Sequence, residues 1–244
     1  MTLEVKELTG GYGQVSVLKK ETFTVESGQV VGLIGLNGAG KSTTIKHIIG
    51  LLNPRGGQIL IDGISLHDDV EKYRKKIAYV PEMPILYPEL TLREHIDLTI
   101  MAYDLDRDKT WENANELLKT FRLDNKLDWF PQNFSKGMKQ KVMIVCAFMT
   151  DASLFIIDEP FTGLDPLAVN DLLNIVEAKK KAGCSVLMST HVLATVQNHA
   201  DKFVLINHGQ VRADGTLDQL KAKFNMKKDS NLDDIYLKMS NEDL

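Results

Sequence analysis

The stretch Val30-Val31-Gly32-Leu33-Ile34-Gly35-Leu36-Asn37-Gly38-Ala39-Gly40-Lys41-Ser42-Thr43 leaves this chain few folds to choose from. An apolar run that reads as a buried strand ends at Gly35. A glycine-rich turn follows. Lys41, Ser42 and Thr43 then open a segment whose apolar residues fall at Ile45, Ile48, Ile49 and Leu52, one face of a helix. The pattern G-x-x-x-x-G-K-S, set between a strand and a helix, describes a loop that wraps phosphates.

Phosphate chemistry explains the residue types. A nucleotide carries several negative charges in little space. Gly35, Gly38 and Gly40 let the backbone curl so that successive N–H groups point inward. The helix opening near Lys41 adds unpaired N–H groups and the positive end of its dipole. Lys41 offers a point charge to the β- and γ-phosphates, and the short Ser42 hydroxyl suits Mg²⁺. The candidate nucleotide-binding residues are therefore Gly35, Leu36, Asn37, Gly38, Ala39, Gly40, Lys41, Ser42 and Thr43.

Bulk properties narrow the partners. A length of 244 residues accommodates one large α/β domain carrying an inserted lobe. The 29 basic residues are outnumbered by 33 acidic ones, a net charge of −4 that argues against nucleic acid as the main partner. Cys146 and Cys184 stand among apolar residues without metal-ligand spacing, the pattern of buried free thiols in a reducing compartment. The N-terminal residues lack the apolar core of a signal peptide, and no apolar run of about 18 residues is present. The expectation is a cytoplasmic chain that docks on a membrane, if it works at one, without crossing it.

Around the glycine-rich loop the chain divides. Residues 1–82 and 153–215 read as an α/β core with an N-terminal β subdomain, 83–152 as a helical lobe inserted in it, and 216–244 as a helical tail. Near-alternation at Leu3, Val5 and Leu8, with short runs at 15–18 and 23–25, predicts strands joined by a turn over Gly10-Gly11-Tyr12-Gly13. On that turn Tyr12 either stacks on an adenine or covers the core. In the lobe, Thr91 and Glu94 have capping-box spacing, a second helix spans about 109–121, and Ser135 caps a third bearing Val142, Val145, Cys146 and Met149. Met83, Ile85, Leu86, Tyr87 and Leu90, in a Pro-containing loop, form either a docking surface or part of the lobe's own core. The tail carries an apolar patch at Leu232, Ile235, Tyr236 and Met239, of open role.

Four apolar strands end in polar groups: Gly35, Glu82, Asp158-Glu159 and His191. In a mainly parallel sheet the carboxyl ends share one edge, where ligands bind. Asp158 then suits a magnesium shell, Glu159 the base that orients an attacking water, and His191 a hydrogen bond to the γ-phosphate. A second anion site lies at Asn133-Phe134-Ser135-Lys136-Gly137-Met138-Lys139-Gln140, with a serine cap, a glycine and basic residues at a helix start. One triphosphate is already cradled at Lys41. The second site therefore reads as completing the site of another copy, related head-to-tail by a two-fold axis.

Together these segments resemble the ATP-binding cassette of ABC transporters over nearly the whole chain. Residues 35–42 match the Walker A motif, 154–158 Walker B, and 134–138 the signature motif. Glu159 matches the catalytic glutamate, Gly163-Leu164-Asp165 the D-loop, His191 the switch histidine, and Tyr12 the aromatic that stacks on adenine. The wording of 35–50, 134–142 and 156–166 is similar to the ATPase subunits of Ecs-type bacterial transporters, usually described as exporters involved in protein or peptide secretion. Two departures stand out. Glu82 replaces the Q-loop glutamine, and the signature reads Phe-Ser-Lys-Gly-Met in place of Leu-Ser-Gly-Gly-Gln.

The resemblance implies an α/β fold: a P-loop ATP-binding cassette with a mainly parallel core sheet, an N-terminal antiparallel β subdomain and an inserted α-helical lobe. It implies ATP hydrolysis coupled to transport in the export direction, with Mg²⁺ held by Ser42, Glu82 and Asp158. Ser135, Lys136, Gly137 and Met138 would face the ATP of a second ATPase subunit, with Asp165 at the dimer contact. A separate polytopic membrane subunit would dock on the helical lobe, holding the protein peripherally on the inner face of the cell membrane. The alternative is a soluble ABC ATPase acting on ribosomes or DNA. Such proteins usually carry two cassettes or a long coiled-coil insertion, and this sequence shows neither heptads nor a basic arm.

Overall fold

Alternating apolar residues near the N-terminus build an antiparallel sheet, and continuous apolar runs build a parallel one, as burial on one face or on both requires. The structure, a computed structural model, describes residues 2–242, with side chains as far as Met239. The chain begins β1 (Leu3–Tyr12), β2 (Val15–Val25), β3 (Val30–Ile34), α1 (Lys41–Ile48), β4 (Gly56–Ile61), α2 (Val70–Lys75) and β5 (Ile77–Val80). Helices α3 (Leu92–Tyr103), α4 (Arg107–Phe121) and α5 (Lys136–Phe148) follow. Then come β6 (Leu154–Asp158), α6 (Pro166–Lys181), β7 (Ser185–Thr190), α7 (Leu193–Gln197), β8 (Lys202–Asn207) and β9 (Gln210–Gly215). Helices α8 (Leu217–Lys223) and α9 (Leu232–Glu242) end the described chain.

Strands β2-β1-β4 form the antiparallel sheet, and β5-β6-β7-β3-β8-β9 form the core sheet. Every pairing of the core sheet is parallel except that of the edge strand β9. Side chains alternate between two apolar clusters. Val31, Leu33, Leu154, Ile156, Leu187, Val204 and Ile206 face the antiparallel sheet and pack with Leu3, Val5, Leu18 and Phe23. Val30, Ile34, Phe155, Ile157, Val186, Met188 and Leu205 face the opposite way, toward the other helices. Ile45 and Ile48 of α1 belong to the first cluster, so the helix behind the glycine-rich loop is wedged between the sheets.

The predicted turn over Gly10-Gly11-Tyr12-Gly13 is corrected. Gly10, Gly11 and Tyr12 are paired strand residues opposite Leu18, Ser16 and Val15, and the turn is confined to Gly13 and Gln14. The glycines serve a bulged strand that crosses α1 closely. A β-carbon on Gly10 would fall 2.2 Å from Nε2 of His47.

Between Val80 and Leu154 the described residues hold only helices and turns. Thr91 and Glu94 form the expected capping box, and Ser135 caps α5 by accepting from the Met138 N–H. The second helix starts earlier than expected because Asp106 caps it, accepting from the Lys109 N–H. Phe148 of α5 stacks on Phe155 of β6, with centroids 4.8 Å apart, and ties the helical layer to the core sheet. The tail residues Leu232, Ile235, Tyr236 and Met239 are buried. The two free cysteines are half-buried, and burial pushes the Cys146 thiol up to about 11.

Behind α1, the fully buried Glu21 accepts a hydrogen bond from the Thr44 hydroxyl at 2.7 Å, while its Oε1 has no partner. Desolvation raises its pKa to about 7, against the partial relief given by Thr44. The folded state therefore holds this proton more tightly than the unfolded chain. Its stabilising effect is full below the unfolded value near 4.5 and is lost as pH rises through 7. Glu21→Gln removes that titration. Its melting temperature should gain on the wild type by a few degrees between about pH 4.5 and 8, read from thermal melts across that range.

Candidate active site

Parallel registry brings the polar strand ends together. Ile34 pairs with Thr190, Asp158 with Ser189, and Val80 with Ile157, so the carboxyl ends of β3, β5, β6 and β7 share one edge. There a cavity of about 390 Å³ is lined by loop residues between Leu36 and Thr43, together with Glu82, Glu159 and His191. The loop is braced from several directions. The Lys41 ammonium donates to Gly35 O at 2.7 Å, Gly209 N–H in the β8–β9 turn donates to Ala39 O at 2.8 Å, and Leu36 N–H donates to the Tyr236 hydroxyl at 2.6 Å.

The acidic side of the cavity is a connected network. Glu159 has φ 46°, a left-handed conformation that costs a non-glycine residue energy and needs support. Support comes from Ser189, whose backbone carbonyl and hydroxyl both accept from the Glu159 N–H at 3.1 Å. The turn leaves Glu159 Oε1 3.6 Å from the Lys41 ammonium. Its Oε2 lies 2.8 Å from His191 Nδ1 and 3.2 Å from the His191 backbone N–H. A carboxylate oxygen accepts, so Nδ1 is the donor on a largely exposed ring.

Asp158 sits deeper. The Ser189 hydroxyl donates to its Oδ1 at 2.5 Å. Burial raises the Asp158 pKa above the usual carboxylate range; the charges of Glu82 and Glu159 push it the same way, while Ser189 and Ser42 oppose the shift. Among the described residues no group of His, Cys, Asp or Glu closes into an all-protein metal cage. Magnesium needs none, since it keeps water and phosphate oxygens and takes one or two protein ligands. Asp158, hydrogen-bonded to the Ser42 hydroxyl and with the charge of Glu82 acting on it, is a donor set that fits it.

The other candidate residues lie outside this cavity. Ser135 and Lys136 are exposed at the start of α5. Behind them Gly137 presses on the Gly163 carbonyl, which a β-carbon would approach to 2.4 Å. Asp165 caps α6 through the Ala168 N–H at 2.8 Å and pairs with Lys141 at 2.8 Å. Tyr12 accepts a hydrogen bond from the Lys46 ammonium at 3.1 Å and shows 44 % of its surface. Arg55 steadies the turn that follows Tyr12 by donating to Gly13 O, and to Val15 O at 3.2 Å.

Sequence reasoning missed four supporting residues. Ser189 had a signal, since it stands at the end of β7 just before His191. Gln140, whose amide donates to Pro81 O at 3.1 Å, lies within the second anion segment but reads as ordinary helix. Arg55 and Tyr236 act through contacts distant in sequence, which no local pattern announces.

The model of the ABC transporter family matches residues 18–162. The ABC-type transporter ATP-binding protein EcsA of Bacillus subtilis is 56% identical over 241 residues, covering 99% of this chain and 97% of EcsA. The SkfA peptide export ATP-binding protein SkfE of the same organism is 35% identical, covering 93% of this chain and 94% of SkfE. A solved ATP-binding subunit of an ABC transporter superposes with a TM-score of 0.96 at 52% identity, covering 98% of this chain and all of that one.

Ser189→Ala tests the acidic network. It strips Asp158 of the Ser189 donor, leaving that of Ser42, and leaves the Glu159 N–H with the backbone bond alone. Chemical denaturation should register a loss of about 1–3 kcal/mol.

Proposed function

The chain belongs to the ABC transporter family, and we propose that it is the motor of an exporter in which two cassettes close over ATP and drive a separate membrane subunit. It is an ATP-binding subunit of an ABC transporter, and it hydrolyses ATP for transport. Subunits of this family dimerise and pair with membrane subunits. The observation that carries the finer reading is the division of the polar residues. One group lines a single cavity, and the exposed helix start at Ser135 stands apart from it.

In this reading Lys41 and the loop N–H groups hold the β- and γ-phosphates. Ser42, Asp158 and Glu82 would hold Mg²⁺, which would neutralise charge on the phosphate oxygens. Glu159 orients a water against the γ-phosphorus. As the new P–O bond forms and the bond to ADP breaks, the water's proton passes toward Glu159. His191, steered by Glu159 through Nδ1, turns Nε2 toward the γ-phosphate. Ser135, Lys136, Gly137 and Met138 present N–H groups and a cation to the ATP of the second cassette, with Asp165 at the contact. Tyr12 stacks on the adenine, as its exposed ring beside α1 supports.

Docking of the membrane subunit is assigned to the face after Glu82. Met83, Ile85 and Tyr87 are exposed, Ile85 by 74 %, whereas Leu86 packs inward. Separately, a groove of about 630 Å³ between α2 and the end of α3 is lined by Val70, Met101 and Tyr103 together with Glu71, Arg74, Lys75 and Asp104. Apolar side chains on such a rim support a protein partner. Among the described residues no helix is long and apolar enough to cross a membrane. Peripheral attachment to the inner membrane face follows from docking on a polytopic partner. The peptide export system named for SkfE supports export as the direction.

Two variants test the motor. Glu159→Gln should bind ATP, turn it over at least about 100-fold more slowly, and accumulate as an ATP-bound dimer in size-exclusion chromatography. Normal turnover in that variant would remove Glu159 from the chemistry. Lys41→Ala should lose nucleotide affinity in equilibrium binding. For the docking face, Ile85→Asp should reduce co-purification with a polytopic partner from membranes.

A further inference from the structure

The tail helix reaches the nucleotide loop. Tyr236, on α9, accepts the Leu36 N–H at 2.6 Å across 200 residues of sequence. At its other end, α9 donates the Leu232 N–H to Gln197 Oε1 on α7 at 2.6 Å, and α7 begins two residues after His191. Between these anchors a mainly apolar cavity of about 230 Å³ is bounded by Leu36, His191, Leu193 and Tyr236. One helix thus holds both segments that frame the mouth of the larger cavity.

Leu36 is the point at which the loop leaves β3. Its carbonyl accepts from Ala39 N–H at 3.0 Å and from the Lys41 ammonium at 3.4 Å. Its N–H, directed to Tyr236, fixes the plane of the first peptide of the curl. The following N–H groups can converge on phosphate only if that plane is set. The Tyr236 ring packs in the core and anchors the helix, while its hydroxyl makes the bond to the loop.

We propose that Tyr236 is a positioning residue for ATP binding, and that α9 docking and nucleotide occupancy reinforce each other. By linkage, whatever factor the docked tail adds to ATP affinity, ATP returns to tail docking. The inference rests on the loop being the ATP site.

The test uses the full-length chain, with ATP as the probe. Tyr236→Phe keeps the ring and deletes the hydroxyl. It should raise KM for ATP about fivefold, the scale of one neutral hydrogen bond, with kcat within about twofold of wild type. In the wild type, ATP should slow amide exchange across α9, and in Tyr236→Phe that response should shrink. Ile235→Ala, which removes buried tail packing, controls for a purely structural role. A KM in Tyr236→Phe equal to wild type overturns the proposal. So does exchange in wild-type α9 that ignores ATP, or a KM rise matched by Ile235→Ala with the same loss of melting temperature. If Lys41→Ala binds ATP normally, the reading of the loop as the ATP site fails instead.

Discussion

The structure depends on one bend of backbone, where β3 ends and α1 begins. N–H groups at a helix start have no partner inside the helix, and a run of them on a tight curve forms a concentrated positive field. Such a bend is usable only if it stays curled with no ligand to hold it. Here the fold does the holding. Ile45 and Ile48 pin α1 between two sheets, Gly209 ties down Ala39, and Tyr236 ties down Leu36. Both apolar clusters of the chain meet this loop, one through α1 and the other through the tail tyrosine.

Parallel registry is the second constraint. It costs nothing extra to place a carboxylate, a histidine or a lysine at the end of a buried strand, because the chain must leave the sheet there anyway. Four strands leaving at one edge bring their exit residues to the lining of one cavity. The bond between Glu159 and His191 spans 32 residues and exists because β6 and β7 are neighbours.

What was legible in the sequence follows the same logic. Strand runs, the glycine-rich loop and the helix caps at Thr91 and Ser135 are written in adjacent residues, so period and spacing expose them. Gly10 and Gly11 misled, because glycine marks a close approach as readily as a turn, and here Gly10 approaches His47 and Gly11 the backbone of Val15. Arg55 and Tyr236 were opaque. Each is an ordinary residue in its local setting, and its partner is chosen by the tertiary fold. Ser189 lies between these cases, visible in position but silent about the left-handed turn it supports at Glu159.

The contact between Gly137 and Gly163 has a mechanical consequence. The first turn of α5 and the turn at Gly163, packed with no room for a methyl group and further latched by Lys141 and Asp165, have little slack between them. A shift at the start of α5 must therefore be accommodated by the segment leaving Glu159, and the Gln140 amide links the same helix to Pro81 beside Glu82. The helical layer is thus tied, through Gly163 and Pro81, to the two strand exits that carry Glu159 and Glu82.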